Sequence, residues 1–173
     1  DIGFDGNRMP VTITRVYNSN DILFNENGIT SRYDFGLGYG WRTNYHQRVG
    51  EMPDNTDYLY WEDGDGTTHY FKKKTTGKYE AEYGYDLTLT NTGSGLETYV
   101  LSSKQGQKSY FDANGRLTKI KNNQKVESSI TVTYDGDSNR ITSVTDGAGR
   151  VYSFEYNSGD MLKSIIFMGT GTS

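Results

Sequence analysis

Tyr110-Phe111-Asp112-Ala113-Asn114-Gly115-Arg116-Leu117-Thr118-Lys119-Ile120 reads as the end of one strand, a tight turn and the start of the next. Phe111 is a β-former, residues 112–115 carry turn chemistry, and Leu117 to Ile120 resumes an apolar pattern. The phrase returns as Thr133-Tyr134-Asp135-Gly136-Asp137-Ser138-Asn139-Arg140-Ile141, and again as Glu155-Tyr156-Asn157-Ser158-Gly159-Asp160-Met161-Leu162. Its aromatic anchors, Phe111, Tyr134 and Tyr156, follow one another at 23 and 22 residues. A fixed period of this size marks a stacked or spiralling repeat architecture.

A second phrase lies between these turns. A glycine precedes a phenylalanine by five positions in Gly66/Phe71, Gly106/Phe111 and Gly149/Phe154. Glycine takes positive φ at a hairpin turn without a Cβ clash, so each unit reads as a β-hairpin. The expected fold is all-β: sequential antiparallel hairpins forming a twisted β-strip, open rather than closed, with turns at Asn114, Ser138 and Ser158. After each turn the apolar pair is spaced by three, as in Leu117/Ile120, Ile141/Val144 and Leu162/Ile165. A flat strand places such a pair on opposite faces, so either both faces are covered or each unit carries a bulge.

Composition agrees with a β protein: 15 Tyr, 7 Phe, 21 Gly and 2 Pro among 173 residues. With only 33% of residues hydrophobic, tyrosine rings must build much of the core. The net charge of −4, with no basic stripe, argues against nucleic acid as a partner. No apolar run reaches the length of a membrane span, and without cysteine there is no thiol chemistry and no disulfide. The opening Asp1-Ile2-Gly3-Phe4 lacks an initiator methionine, which suggests a mature or excised fragment.

Along the chain, Val11 to Tyr17 alternates as a strand, residues 22–32 read as a loop, and Phe35 to Trp41 reads as a tightly turning glycine–aromatic segment. Thr43 to Val49 reads as a strand, and Tyr58 to Phe71 as a hairpin around Asp63-Gly64-Asp65-Gly66. Residues 79–85 continue the β pattern and Gly93-Ser94-Gly95 is a turn. Lys72-Lys73-Lys74 fits a solvated strand end or a protected edge strand better than an anion contact. A boundary near Ser102 separates a non-repetitive region, 1–102, from repeat hairpins, 103–173, within one continuous unit. An excised strip leaves unpaired edges, to be met by dimerisation or covered by residues 22–39.

Enzymatic readings are weak. His46 and His69 are the two histidines; the position of His69 in its phrase is Ser109 and Tyr152 elsewhere, which fits a structural residue. The carboxylates Glu62, Asp63 and Asp65 are turn neighbours rather than the two walls of a sugar cleft. Asp135, Asp137, Asn139 and Asp146 fall at calcium-loop spacing, but Arg140 stands where that loop needs glycine and no helices flank it, so an ordinary turn is expected. A sharper rival is carbohydrate binding by Trp41, Tyr58, Tyr60 and Trp61, set against their use as core. No cofactor is implied.

The repeated phrases resemble the YD repeats of the Rhs family, in which Tyr-Asp, a glycine-rich turn and Arg-Leu precede a β-branched strand. Tyr134-Asp135 with Arg140-Ile141 matches, as do Phe111-Asp112 with Gly115-Arg116-Leu117, and Asp146-Gly147-Ala148-Gly149-Arg150; Tyr156-Asn157 with Met161-Leu162 is a looser copy. Arg15-Val16-Tyr17-Asn18-Ser19 followed by Gly38-Tyr39-Gly40-Trp41 resembles the segment preceding such repeats, so the likeness covers residues 10–167. It is closest to wall-associated and secreted Rhs-type proteins of Gram-positive bacteria and more distant from teneurins. The resemblance implies a secreted or cell-wall-associated scaffold whose partners are further repeats and a carboxy-terminal toxin enclosed by a β-shell. The self-cleaving core motif and toxin domain of that family are not in this sequence. On this reading Phe111, Asp112, Gly115, Arg116, Tyr134, Asp135, Arg140, Gly149, Arg150 and Tyr156 are repeat-defining structural residues.

Overall fold

Turn chemistry at fixed intervals produces a ladder of short strands. The computed structural model describes residues 2–3, 9–26, 28–82, 84–93, 95–123 and 128–170. Before the main sheet come β1 (Ile2–Gly3), β2 (Thr12–Ile13), β3 (Arg15–Tyr17), β4 (Ile22–Asn25), β5 (Gly28–Ser31) and β6 (Trp41–Thr43). The sheet opens with β7 (Arg48–Met52), β8 (Asn55–Glu62), β9 (Thr68–Thr75), β10 (Lys78–Ala81), β11 (Leu87–Asn91) and β12 (Tyr99–Ser103). It continues with β13 (Lys108–Phe111), β14 (Leu117–Lys121), β15 (Ser129–Tyr134), β16 (Ile141–Thr145), β17 (Arg150–Tyr156) and β18 (Leu162–Thr170). These twelve strands, β7 to β18, lie side by side in unbroken sequence order, each antiparallel to the next. The expected open strip of sequential hairpins is therefore the observed fold. The helical turns among the described residues are two short 3₁₀ segments, Ser19–Asp21 and Gly95–Glu97.

Five turns share one construction. In each, the first residue's N–H donates to the carbonyl four positions on, and the fourth residue's N–H donates back to the first residue's carbonyl. The pairs are Asp63/Thr67, Ser103/Gln107, Asp112/Arg116, Asp146/Arg150 and Asn157/Met161. The fourth residue is left-handed: Gly66, Gly106, Gly115 and Gly149 have φ of 75–88°, and Asp160 takes the role at 60°. This is a type I turn closed by a bulge at the left-handed residue, a three-residue hairpin loop. The Asp135 turn is one residue longer, with Asp135 N–H donating to Arg140 O.

Bulges account for the three-residue apolar spacing. Tyr110 faces Lys119 but Phe111 faces Leu117, leaving Thr118 unpaired. The same skip leaves out Thr142 between β15 and β16, and Lys163 between β17 and β18. The extra residue restores the side-chain alternation, so both members of Leu117/Ile120 and of Ile141/Val144 are buried.

One face of the strip is a continuous apolar row. Leu59, Phe71, Leu89, Leu101, Phe111, Leu117, Val132, Val144, Tyr152 and Phe154 all join one buried cluster. Each such side chain contributes about 1.5–3 kcal/mol relative to its exposed state. Val11, Ile13 and Tyr45, from the segment before the sheet, belong to the same cluster. Burial pushes the Tyr45 phenol up to about 12.

The strip winds back on itself. The edge of β7 that β8 leaves free meets the β13–β14 turn: Val49 N–H donates to Gly115 O at 2.9 Å and Leu117 N–H to Gln47 O at 3.3 Å. A single bridge, Arg48 to Arg116, joins them rather than a strand ladder, so the sheet stays open.

Two local expectations change, and a third holds in part. Residues 22–32 contain the hairpin β4–β5 rather than an irregular loop, because Ile22-Leu23-Phe24 and Ile29-Thr30 pair across it. Thr43 to Val49 is the end of β6, a turn at residues 44–45 and the start of β7, since Thr14 N–H is captured by the Asn44 side chain at 2.9 Å. Lys72 to Lys74 are the expected solvated strand end, exposed in the last residues of β9, but β9 is an interior strand between β8 and β10 rather than an edge, with Lys74 on Glu80 at 3.1 Å. Ser94 and Tyr83, within the expected Gly93 turn and the 79–85 β segment, lie outside the described residues. Of residues 22–39, Gly36 covers the start of β18, its carbonyl accepting from Leu162 N–H at 2.6 Å.

Candidate functional site

The repeat residues converge on a column of turns. Asp112 Oδ1 accepts from Asn114 N–H at 3.0 Å and Arg116 N–H at 2.8 Å, which fixes the turn. Its Oδ2 takes Arg116 Nε and Nη2, both at 2.8 Å. Arg116 Nη1 reaches onward to Gly136 O at 2.8 Å and Ser138 O at 2.5 Å, in the next turn. Its guanidinium lies 4.7 Å from the Tyr134 ring centroid, and the Tyr134 hydroxyl donates back to Leu117 O at 2.9 Å. Asp112 and Arg116 are buried, and a buried ion pair holds only when its remaining donors are satisfied, as they are here. Burial raises the Tyr134 phenol pKa above its ordinary range, so it remains a donor.

The next units repeat this arrangement with variations. Tyr156 hydroxyl donates to Ile141 O at 2.8 Å, and Arg140 Nη1 reaches Asp160 Oδ2 at 3.2 Å. Asp146 holds Ala148 N–H, Arg150 N–H and Arg150 Nε at 2.9, 2.8 and 2.5 Å, with Gly149 at the left-handed position. Asp135, in the longer turn, is exposed and meets Arg140 at 3.5 Å. Phe111 is fully buried beneath the first turn.

The segment before the sheet is clamped by charge. Arg42 is 0% exposed; its Nε and Nη2 donate to Asp21 Oδ2 at 3.0 and 2.5 Å, and Nη2 also to Glu62 Oε2 at 3.3 Å. Glu62 Oε1 accepts from Arg32 at 2.8 Å, so two cations balance two anions. Asn18 N–H donates to Gly40 O at 2.8 Å, and its side chain donates to Gly66 O at 3.2 Å. Tyr17 pairs with Trp41 in β3–β6, with ring centroids 5.3 Å apart. Three motifs distant in sequence, Tyr17-Asn18-Ser19, Gly38-Tyr39-Gly40-Trp41 and the Asp63 hairpin, thus meet. Arg48 joins this region to the column, through Asn114 O at 2.7 Å and the Asn139 side chain.

The four aromatic stacking candidates do not form one platform. Trp41 is 37% exposed on β6, beneath Arg15. Tyr58 and Tyr60 alternate with Leu59 and Trp61 along β8, so they point to the other face. Tyr60 hydroxyl meets Tyr33 hydroxyl at 3.0 Å, while Trp61 Nε1–H donates to Gln47 Oε1 at 3.2 Å. For calcium, Asp135, Asp137 and Asn139 share one turn, but Asp146 opens the turn at the far end of five-residue β16, roughly 17 Å away. Among the described residues no three His, Cys, Asp or Glu side chains gather as a metal group.

His46 Nδ1 accepts from Thr43 N–H at 3.0 Å and lies 2.8 Å from Thr43 Oγ1. Both residues are at most 1% exposed, and Phe35 covers the ring at 4.4 Å. Burial, with Arg42 and Arg48 nearby, lowers the His46 pKa to about 3, which keeps the ring neutral. His69 Nε2 meets Asp63 Oδ2 at 2.9 Å while its ring stacks on Trp61. Sequence reading missed Arg42, Asp21 and Arg48, and took Glu62 for a turn neighbour; their partners lie 20 or more residues away. The one signal in the sequence was an arginine at the alternate position after Trp41 in an aromatic strand.

Two family profiles match the chain: the domain of unknown function DUF6531 over residues 1–71 and the RHS Repeat over residues 134–166. The chain is 31% identical over 143 residues to the tRNA3(Ser)-specific nuclease WapA of Bacillus spizizenii, covering 82% of this chain and 5% of that protein. It is 30% identical over 143 residues to the tRNA nuclease WapA of Bacillus subtilis strain 168, with the same coverage of 82% and 5%. The chain therefore spans a small fraction of the length of these relatives. No helix among the described residues is long and apolar enough to cross a membrane.

Proposed function

Because the chain belongs to the Rhs/YD-repeat family, we propose that it is a non-catalytic structural segment of an Rhs-type surface or secreted protein, within a β-shell that encloses or presents a carboxy-terminal toxin or effector. The observation that carries this reading is the winding of the strip: β7 meets the β13–β14 turn six strands on, with the apolar row and the buried segment before the sheet held in one cluster. Such a unit starts a spiral. The column of turns gives the spiral a spine to which further repeats add. Residues 1–102 form the starter and residues 103–173 the first repeats, in one continuous structural unit. The partners are the remainder of the same polypeptide; as a fragment, the outer edge of β18 offers a surface for an edge-strand dimer. The location is secreted or cell-wall associated. The nuclease activity in the relatives' names belongs to those proteins, of which the aligned stretch is 5%.

The test extends the chain through its downstream repeats to an effector and measures protease digestion of that effector. Deleting residues 1–102 should raise its digestion rate at least about tenfold, because exposure rather than cleavage then sets the rate. An unchanged rate refutes enclosure. Cleavage of tRNA by the isolated chain, lost on His69→Ala, refutes the non-catalytic assignment.

A further inference from the structure

A groove of about 380 Å³ lies between the β8–β9 turn and the apolar face of β12 to β14. Trp61 forms one wall, held by its hydrogen bond to Gln47 and by the His69 ring stacked 4.9 Å away at 27°. Leu101 and Ile120 form the opposite wall. Asp63 and Asp65 stand on its rim, and no basic side chain is among the described residues that line it. Asp65 Oδ1 accepts from Thr67 N–H at 2.9 Å and Thr67 Oγ1–H at 2.6 Å, and its side chain also meets that of Asp63 within the turn. The second observation is Ser109. It sits in the apolar row between Leu101 and Ile120, is 8% exposed, lines the groove, and its hydroxyl has no hydrogen-bond partner among the described residues.

We propose that this groove binds an arginine side chain presented by a partner peptide. This goes beyond the scaffold role, which does not require it. Indole is the best aromatic partner for a cation, and a guanidinium lies flat against it. With its plane on Trp61, the planar fork reaches the Asp65 carboxylate and the Ser109 hydroxyl, both acceptors, while the aliphatic stem rests on Leu101 and Ile120. An acidic lining on a chain of net charge −4 attracts such a group and repels phosphate or carboxylate ligands. A neutral sugar leaves the rim carboxylates uncompensated, which makes it the weaker fit.

The test follows the indole Nε1–H NMR resonance of Trp61, assigned with Trp61→Phe, during titration of the chain with N-acetyl-arginine methylamide and its neutral isostere N-acetyl-citrulline methylamide. The arginine compound should give a saturable shift and bind at least about tenfold more tightly than the citrulline one. Asp65→Asn keeps the turn's acceptor and removes the charge; it should lose about tenfold in affinity with an unchanged thermal midpoint. Ser109→Ala, which removes only the unpaired hydroxyl, should weaken binding as well. Equal affinities for the two compounds, no saturable shift, or unchanged binding in both variants overturns the proposal. So does chitotetraose shifting the resonance where arginine does not, which identifies a glycan groove. None of these outcomes bears on protease protection of the effector.

Discussion

Gly115→Ala tests whether the strip is held wound or merely happens to curl. Gly115 has φ +75°, and a Cβ there falls inside the contact radius of Val49 O, in the backbone of β7. Two contributions add. A non-glycine residue in the left-handed region costs about 1–2 kcal/mol. Backing β7 away from the turn loses the Val49-to-Gly115 and Leu117-to-Gln47 hydrogen bonds, about 1–1.5 kcal/mol each. The expected destabilisation is about 3–5 kcal/mol. Gly149 is the internal control: it occupies the same turn position at φ +82°, with nothing within 4 Å of a Cβ. Gly149→Ala should therefore cost only the left-handed penalty, about 1–2 kcal/mol. Urea unfolding of both variants gives the difference, and hydrogen exchange at Val49 and Leu117 should accelerate in Gly115→Ala alone. If the two variants agree within about 0.5 kcal/mol, the β7 contact contributes nothing and the wound strip is not a stable feature.

Tyr134→Phe and Tyr156→Phe each remove one hydrogen bond, to Leu117 O and Ile141 O, and should cost about 1–1.5 kcal/mol apiece by urea titration, with the double variant near their sum. Asp112→Ala strips the carboxylate from buried Arg116 and should cost about 3–5 kcal/mol, more than Asp135→Ala at the exposed turn, as read from unfolding midpoints. Arg42→Ala leaves Asp21 and Glu62 buried without their cation and should cost a similar 3–5 kcal/mol or so, with Arg42→Lys a poor rescue because one ammonium cannot replace the guanidinium fork. His46 has a folded pKa of about 3 against an ordinary 6.5, so below pH 6.5 the unfolded chain takes up a proton that the folded chain refuses. Its contribution to stability is full above pH 6.5 and falls by about 1.4 kcal/mol per pH unit on acidification toward pH 3; His46→Gln should remove that slope from a pH series of unfolding curves.

The turns were legible because their chemistry is local. Asp112, Gly115 and Arg116 satisfy one another within five residues, so spacing alone reveals them. The strand order followed, since hairpins joined by short turns have only one sequential arrangement. The bulges were legible as a conflict rather than as an answer: the Leu117/Ile120 spacing broke the period of two, and only the register of β13 against β14 decides what absorbs it. The clamp around Arg42 was hidden because Asp21, Arg42 and Glu62 meet only once the strip has formed and the preceding segment has docked. Reading residues 22–32 as a loop failed for a related reason. A two-stranded hairpin with exposed Leu23, Phe24 and Ile29 lacks the buried face that makes alternation informative.

The ties along the column have a direction. Each tyrosine bonds backward, Tyr134 to Leu117 and Tyr156 to Ile141, whereas Arg116 reaches forward to Gly136 and Ser138, and Arg140 forward to Asp160 as well as back to Asp34 and Asp135. During synthesis from the amino terminus, a newly emerged tyrosine meets an acceptor that already exists, while the arginine before it waits for the turn still to come. The polypeptide thus grows its ordered region rung by rung, as a ratchet with a single advancing tip. Each strand of the column pairs with the one just made, whereas Arg48 and the free edge of β7 wait longer, for Asn114 and Gly115 in the β13–β14 turn that closes the first winding.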